Sequence, residues 1–307
     1  GMNILLDVLA YNTHYLGYNA NMLANEMYLD SASQRSSVVS LAKQVGYTPK
    51  SATSSKATID VLVNNGSGSS ITMSRGTKFT STVDGTAFNF VNNADVSISP
   101  VDGVYKFSNL EVFEGTLLNF KYTVSTSDTE QRFIIPNDDV DTTTLTVKIQ
   151  ESSTDTTTNT YTLAQGITGL DSTSKVYFLQ EVENGRFEVY FGDGVLGKAV
   201  ADGNIVILDY IVCNRDAPND ARSFTLSGTV GGFSNVTVTT INNAEGGDSP
   251  ETIKSIKYNA PRDYGTQDRA VTADDYKVLV KSLYANAQSV QVYGGEDAAT
   301  PDYGKVY

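Results

Sequence analysis

Asn3–Tyr28, NILLDVLAYNTHYLGYNANMLANEMY, reads as one long helix: it holds no proline, and its single glycine, Gly17, weakens a helix by only about 1 kcal/mol against alanine. Val8, Tyr11, Tyr15, Tyr18 and Met22 recur at alternating steps of three and four, the seam spacing of a helix lying along another helix. Leu9, Leu16 and Leu23 repeat every seven residues beside that seam, and Ala10, Gly17 and Ala24 every seven on a further side. Asp7 and Glu26 are the charged residues of the stretch, so no face is strongly solvated and the helix is expected to bury more than one side. Packing on the chain's own core is the ordinary outcome for such a face. Here the reading favours helices of other chains, with Val8, Leu9, Tyr11, Tyr15, Leu16, Tyr18, Met22 and Leu23 as the candidate partner-binding residues. Asn12, Asn19, Asn21 and Asn25 suit the fixing of register in a bundle.

A second helix is expected from about Ala32 to Val45, with Ser31 and Gln34 in a capping-box pattern and Gly46 and Pro49 as the stop. One helix of that length cannot cover the first all round. From about Ala57 to Ile241 the period falls to two, as in Ile59, Val61 and Val63, Phe88 and Phe90, or Leu145, Val147 and Ile149. Asn65-Gly66, Asp84-Gly85, Asp102-Gly103 and Asn184-Gly185 supply hairpin turns, so mostly antiparallel strands are expected, with Ser152–Thr160 as exposed loop or loosely paired edge. Helices return after Asp248, with Pro250 and Glu251 at a first start and Thr272 with Asp275 opening a second that runs to about Leu283. Ser289–Tyr293 and Lys305–Tyr307 read as strands. The fold class is α+β: an N-terminal helical segment over 3–50, a large mainly antiparallel β region over 51–247, and the start of a C-terminal α/β domain over 248–307. Gly1 before Met2 and the stop at Tyr307 lead us to expect a fragment of a longer protein.

Composition narrows the chemistry. Lys and Arg number 22 against 35 Asp and Glu, a formal charge of -13, and no basic stripe is present to neutralise phosphates, which speaks against direct nucleic-acid binding. No run approaches the roughly 20 apolar residues of a membrane span, and no signal-peptide pattern opens the chain, so the protein is expected to be soluble. Cys213 and His14 are the one cysteine and one histidine, leaving no intrachain disulfide and no Cys/His zinc cluster. A nucleophile–histidine pair would have to use His14, inside a helical pattern. Phe191–Lys198, FGDGVLGK, lacks the phosphate-loop spacing because Ala199 stands where the magnesium-binding hydroxyl belongs; it reads as a turn leaving a strand. Asn137, Asp138, Asp139 and Asp141 offer hard oxygens to a cation, but the calcium-loop glycine and glutamate are missing, and a solvated connection is the preferred reading. The absence of tryptophan removes the usual sugar-stacking residue. No catalytic residue, cofactor, metal or small-molecule substrate is expected.

Leu5–Thr13 (LLDVLAYNT), Arg35–Pro49 (RSSVVSLAKQVGYTP), Phe187–Lys198 (FEVYFGDGVLGK) and Ala260–Tyr276 (APRDYGTQDRAVTADDY), supported by Ser74–Phe79, Phe88–Val91 and Glu245–Glu251, resemble in order and spacing the baseplate wedge subunits of T-even-like contractile-tailed phages, within the wider baseplate J-like family. The resemblance implies a non-enzymatic structural subunit of the virion tail baseplate, made in the cytoplasm of an infected bacterium. It implies partners of two kinds: other copies of the chain, and other wedge subunits joined through an N-terminal helical bundle. It also implies that an upstream segment and most of a ring-closing C-terminal domain lie outside this sequence. The competing expectation is a virion-surface β adhesin that binds glycans, suggested by the Thr/Ser-rich strands and acidic charge; it leaves the apolar helix unexplained.

Overall fold

The computed structural model describes every residue except 1, 65, 165, 167, 168, 268, 284–288 and 299, and no side chain of 281–283. The chain divides into two compact units, a helical one made of Gly1–Pro49, Glu181–Asn184 and Glu251–Tyr307, and a β one made of Lys50–Gln180 and Gly185–Pro250. The architecture is α+β, as the pattern predicts.

The helical unit holds α1 (Met2–Glu26) and α2 (Arg35–Gln44), then, later in the chain, α3 (Ile253–Thr266) and α4 (Ala273–Leu283). Val38, Val39 and Ala42 of α2 are buried against Ile256 and Ala260 of α3, with Leu29, Val45 and Ile253 closing the sides. Arg35 opens α2 with its guanidinium on the buried Glu181 carboxylate at 2.6 and 2.8 Å and on the Glu251 carbonyl. The Tyr47 hydroxyl donates to the Glu251 carboxylate, which also accepts from Ser255 and Asn259; burial first, then the Glu251 charge, raises the tyrosine pKa above its ordinary range.

Three local expectations are corrected here. α2 starts at Arg35 rather than Ala32, and Ser31 does not cap it: its hydroxyl donates back to the Asn25 carbonyl, and Gln34 at the cap position makes no side-chain cap bond. α3 is capped by Thr252, whose hydroxyl accepts from the Ser255 amide, not by the Asp248–Glu251 stretch. Ser289–Tyr293 does not form a strand; Tyr293 and Tyr307 exchange backbone bonds beside an isolated Gly294–Val306 bridge, too short a ladder for one. Thr272 and Asp275 do cap α4 reciprocally, each amide donating to the other's side chain.

The β unit contains β1 (Lys56–Val63), β2 (Ile71–Met73), β3 (Lys78–Val83), β4 (Thr86–Val91), β5 (Val96–Ile98), β6 (Tyr105–Glu114), β7 (Thr116–Thr123), β8 (Phe133–Ile134), β9 (Val140–Gln150), β10 (Thr158–Leu163), β11 (Val176–Glu181), β12 (Phe187–Phe191), β13 (Ile205–Val212), β14 (Thr225–Ser227) and β15 (Val236–Glu245). A six-stranded sheet runs β14-β3-β4-β6-β1-β15, and a seven-stranded sheet β7-β13-β9-β10-β11-β12-β8. The second sheet is thus an insertion between β6 and β14 of the first. β1 alternates half-buried and buried residues, sending Ala57, Ile59, Val61 and Val63 into the first core with Phe79, Phe90 and Phe107. Val147, Ile149, Val206, Leu208 and Tyr210 lie in the second core. Asp84-Gly85 and Asp102-Gly103 have paired positive φ values of 48° and 81°, and 52° and 77°, the two-residue hairpin geometry; Asn65 of Asn65-Gly66 lies outside the described residues. Among the described residues β1 runs antiparallel to β6 and β15, and β13 to β7 and β9, while β10 runs parallel to β11. Ser152–Thr157 lies in no strand, and Thr158–Thr160 pairs with β9 on one side, while Thr162 and Leu163 carry the pairing with β11, in keeping with the expected exposed loop and loosely paired edge.

The two crossings between the sheets are tied to each other. β6 passes into β7 through Gly115 alone, at φ +129°, where an added Cβ would run into the Val212 carbonyl oxygen. Glu114, 1% exposed, accepts from the Asn214 amide at 2.9 Å and its side-chain nitrogen at 2.7 Å, just where β13 hands the chain back. A second tie joins Arg75, from the β2–β3 connection, to Asp209 of β13 at 2.9 Å; Lys148 and Asn119 share that carboxylate, and Asn93 holds the guanidinium.

Arg75→Ala is expected to lower stability by about 2 kcal/mol in urea denaturation, less than the roughly 3–5 kcal/mol of a fully abandoned buried charge because Lys148 and Asn119 remain on Asp209. Burial raises the Glu114 pKa against the lowering by Asn214, so the folded chain favours the protonated acid. That contribution is complete below the unfolded pKa of about 4.3 and is lost as pH climbs through the raised folded value. Glu114→Gln is therefore expected to gain stability relative to the parent between pH 4 and 7, measured as denaturation midpoints along a pH series; a constant difference would refute it.

Candidate subunit interface

α1 forms because nothing in Met2–Glu26 breaks it, yet it buries nothing: each residue from Met2 to Asn25 is exposed. Among its large apolar side chains exposure runs from 37% at Met22 to 79% at Met2, so none of them lies in the chain's own core. The eight candidate residues Val8, Leu9, Tyr11, Tyr15, Leu16, Tyr18, Met22 and Leu23 all stand on this helix, each of them exposed. Tyr11 and Tyr15 lie on one face with ring centroids 5.1 Å apart.

The helix carries two seams. Ile4, Val8, Tyr11, Tyr15, Tyr18 and Met22 step by four and three, and Met2, Leu6, Leu9, Thr13, Leu16, Ala20 and Leu23 do the same two residues earlier. Two residues turn a helix by about 200°, so the seams occupy roughly opposite faces. Between them run two polar stripes, Asn12 and Asn19 on one side, Asp7, His14 and Asn21 on the other. Leu9, Leu16 and Leu23, which by sequence spacing alone flank the first seam, belong to this second one, because Leu6, Thr13 and Ala20 continue its steps.

The other sequence candidates are occupied by local structure. Asp193 accepts from the Val195 and Leu196 amides, and Gly192 packs against the Leu196 and Gly197 carbonyls, so Phe191–Lys198 is a braced turn after β12. Its tip exposes Val195 and Leu196. In Asn137–Asp141 the oxygens are already engaged: Asn137 by Tyr210, Asp138 by Arg186, Asp139 by Arg215, and Asp141 by the Ser54 amide and Thr143. Among the described residues no three metal-ligating side chains converge. Cys213 is buried, and burial pushes its thiol up to about 11, away from nucleophilic use. No helix among the described residues is long and apolar enough to cross a membrane.

Three family models match successive stretches: the baseplate wedge protein gp6-like helical domain over 1–47, the bacteriophage baseplate wedge protein gp6 third domain over 119–220, and the baseplate structural protein gp6 C-terminal domain I over 272–307. The chain is similar to the gp6 baseplate wedge proteins. Baseplate wedge protein gp6 of Enterobacteria phage T4 is 28% identical over 337 aligned positions, covering 98% of this chain and 48% of that protein. The chain thus spans about half the length of the curated relative it matches. The first gp6 match covers α1 and α2, and the second nearly coincides with the inserted sheet from β7 through β13.

Since α1 buries nothing within its own chain, removing residues 2–25 is expected to leave the unfolding free energy of the remainder, from urea denaturation, unchanged within error. A drop of 1 kcal/mol or more would show that α1 contributes to the fold.

Proposed function

We propose that this chain is a structural subunit of a contractile-tail baseplate wedge that works by holding neighbouring subunits. The observation that carries the proposal is α1, 25 residues of helix with apolar seams on opposite faces and no burial among the described residues. Burial of each large apolar side chain contributes about 1.5–3 kcal/mol, so a helix of this composition has ample free energy to gain from partners on both sides. Packing by α1 with further copies of the chain and with other wedge subunits, in a helical bundle at the virion tail baseplate, follows the gp6 likeness and supplies those partners. In this reading Val8, Leu9, Tyr11, Tyr15, Leu16, Tyr18, Met22 and Leu23 form the inter-subunit contact, and the β region of 51–247 is a spacer. Placement in the wider baseplate J-like family, with the remainder of a longer wedge protein outside this sequence, rests on the motifs and on the span of the relative. Catalysis has no part in the mechanism; association by surface burial does the work.

Co-expression with helical tail proteins encoded beside this gene, followed by size exclusion with light scattering, tests the reading. The parent chain is expected to enter a complex. Glutamate at Leu9, Tyr15, Leu16 or Met22 is expected to abolish it while the β-sheet circular dichroism stays unchanged. Complexes formed equally well by these variants would remove α1 from the interface, and glycan binding without any helical partner would favour an adhesin.

A further inference from the structure

α1 makes no buried contact with its own chain, so its direction is decided at its root. There the last residue of the helix, Glu26, reaches across the 27–34 connection to the start of α2. One carboxylate oxygen accepts from the Ser33 amide at 2.8 Å and the Ser33 hydroxyl at 2.6 Å; the other accepts from the Gln34 amide at 3.2 Å. Gln34 is the cap residue of α2 and makes no side-chain cap bond, so Glu26 supplies from α1 the negative group that the α2 N-terminus otherwise lacks. The connection itself is anchored: Ala32 is fully buried in the helical core, Leu29 packs on that core, and Lys257 donates to the Asp30 carbonyl. The near side of the joint is therefore fixed, and the carboxylate is a side-chain tie from α1 onto it, beside the Ser31 hydroxyl on the Asn25 carbonyl.

We propose that Glu26 is a latch, a positioning residue that sets the direction in which α1 leaves the helical unit and so presents both seams in a preorganised orientation. The proposal rests on the reading of α1 as the contact arm. The lever is long: 25 residues give an arm of about 37 Å, so a change of about 10° at the root carries the far end about 6 Å, more than half the spacing of packed helices. An arm held in one direction forfeits less orientational freedom on binding than one that swings. Hydrogen bonds from the Ser33 hydroxyl first, then the Ser33 amide and the Ser37 hydroxyl, hold the Glu26 pKa down to about 2, so the latch stays charged throughout the physiological range.

Spin labels on Asn12→Cys in α1 and Ser40→Cys in α2, in a full chain with Cys213→Ser, give the arm direction as a distance distribution by double electron–electron resonance. A single narrow distribution is expected with Glu26 present, and at least a doubling of its width in Glu26→Ala with far-UV helicity retained. Ser33→Ala, which removes the hydroxyl and keeps both amide bonds, should broaden it less. A distribution already broad with Glu26, or equally narrow without it, overturns the latch; so does loss of helicity in Glu26→Ala, which would make Glu26 a determinant of helix formation rather than direction. The measurement needs no partner. A failed latch would therefore leave capture by α1 standing, and failed capture would leave the latch result standing.

Discussion

The β unit depends on the clasp between Glu114 and Asn214. A sheet inserted into another must be entered and left, and here the entry is one residue long, Gly115, pressed against the Val212 carbonyl where the exit begins. The two strand ends are therefore neighbours, and the buried carboxylate of one crossing accepts both donors that the other offers. A carboxylate so buried is expensive to ionise, which is why it sits where backbone geometry supplies an amide and a side-chain nitrogen together. Asp209, gathering Arg75, Lys148 and Asn119, makes the second tie between the sheets. Between them these polar groups fix the register of two sheets whose cores, around Phe79 and Phe90 in one and Leu208 and Tyr210 in the other, are apolar and without directional preference.

α1 is built on the opposite principle. The apolar packing of the remainder of its unit, such as Val38 and Val39 on Ile256, and the Arg35–Glu181 ion pair lie beyond Glu26 in the sequence. The helix presents apolar surface that its own chain leaves uncovered, so under the proposed reading stability and association fall to different residues. Substitutions can then change one without the other, a separation that a shared core would not allow.

The sequence pattern reached most of this by periodicity. Ile59, Val61 and Val63 alternate because one face of β1 is core, and the Asp-Gly pairs mark hairpins because few other residues take positive φ twice in succession. What it missed depends on partners distant in sequence. Ser31 has the right type and spacing to cap α2, yet its hydroxyl turns to the Asn25 carbonyl while Glu26, seven and eight residues from the amides it binds, takes the role. Gly115 and Asn214 are unremarkable letters until the insertion brings residues a hundred positions apart into contact. The apolar seam of α1 was legible as a pattern, but its exposure was not, because a stripe of Val, Tyr and Met reads the same whether its own chain covers it or leaves it open.

An uncovered apolar helix invites indiscriminate association, and the composition of α1 limits that hazard. Its seams are separated by stripes of Asn12 and Asn19, and of Asp7, His14 and Asn21, so a partner that straddles a stripe must desolvate amides or a carboxylate without assured hydrogen bonds. The three tyrosines on the first seam add a like constraint, since each brings a hydroxyl that needs an acceptor or water once the ring is buried. The chain is acidic throughout, at a formal charge of -13, and α1 shares in this with two acidic residues and no Lys or Arg. Acidic surfaces repel at a distance and apolar surface attracts only at contact, so encounters that do not match apolar seam to apolar seam gain little. Selectivity in such a subunit comes from where polar groups interrupt an apolar surface, and the helix direction decides which neighbour meets which interruption.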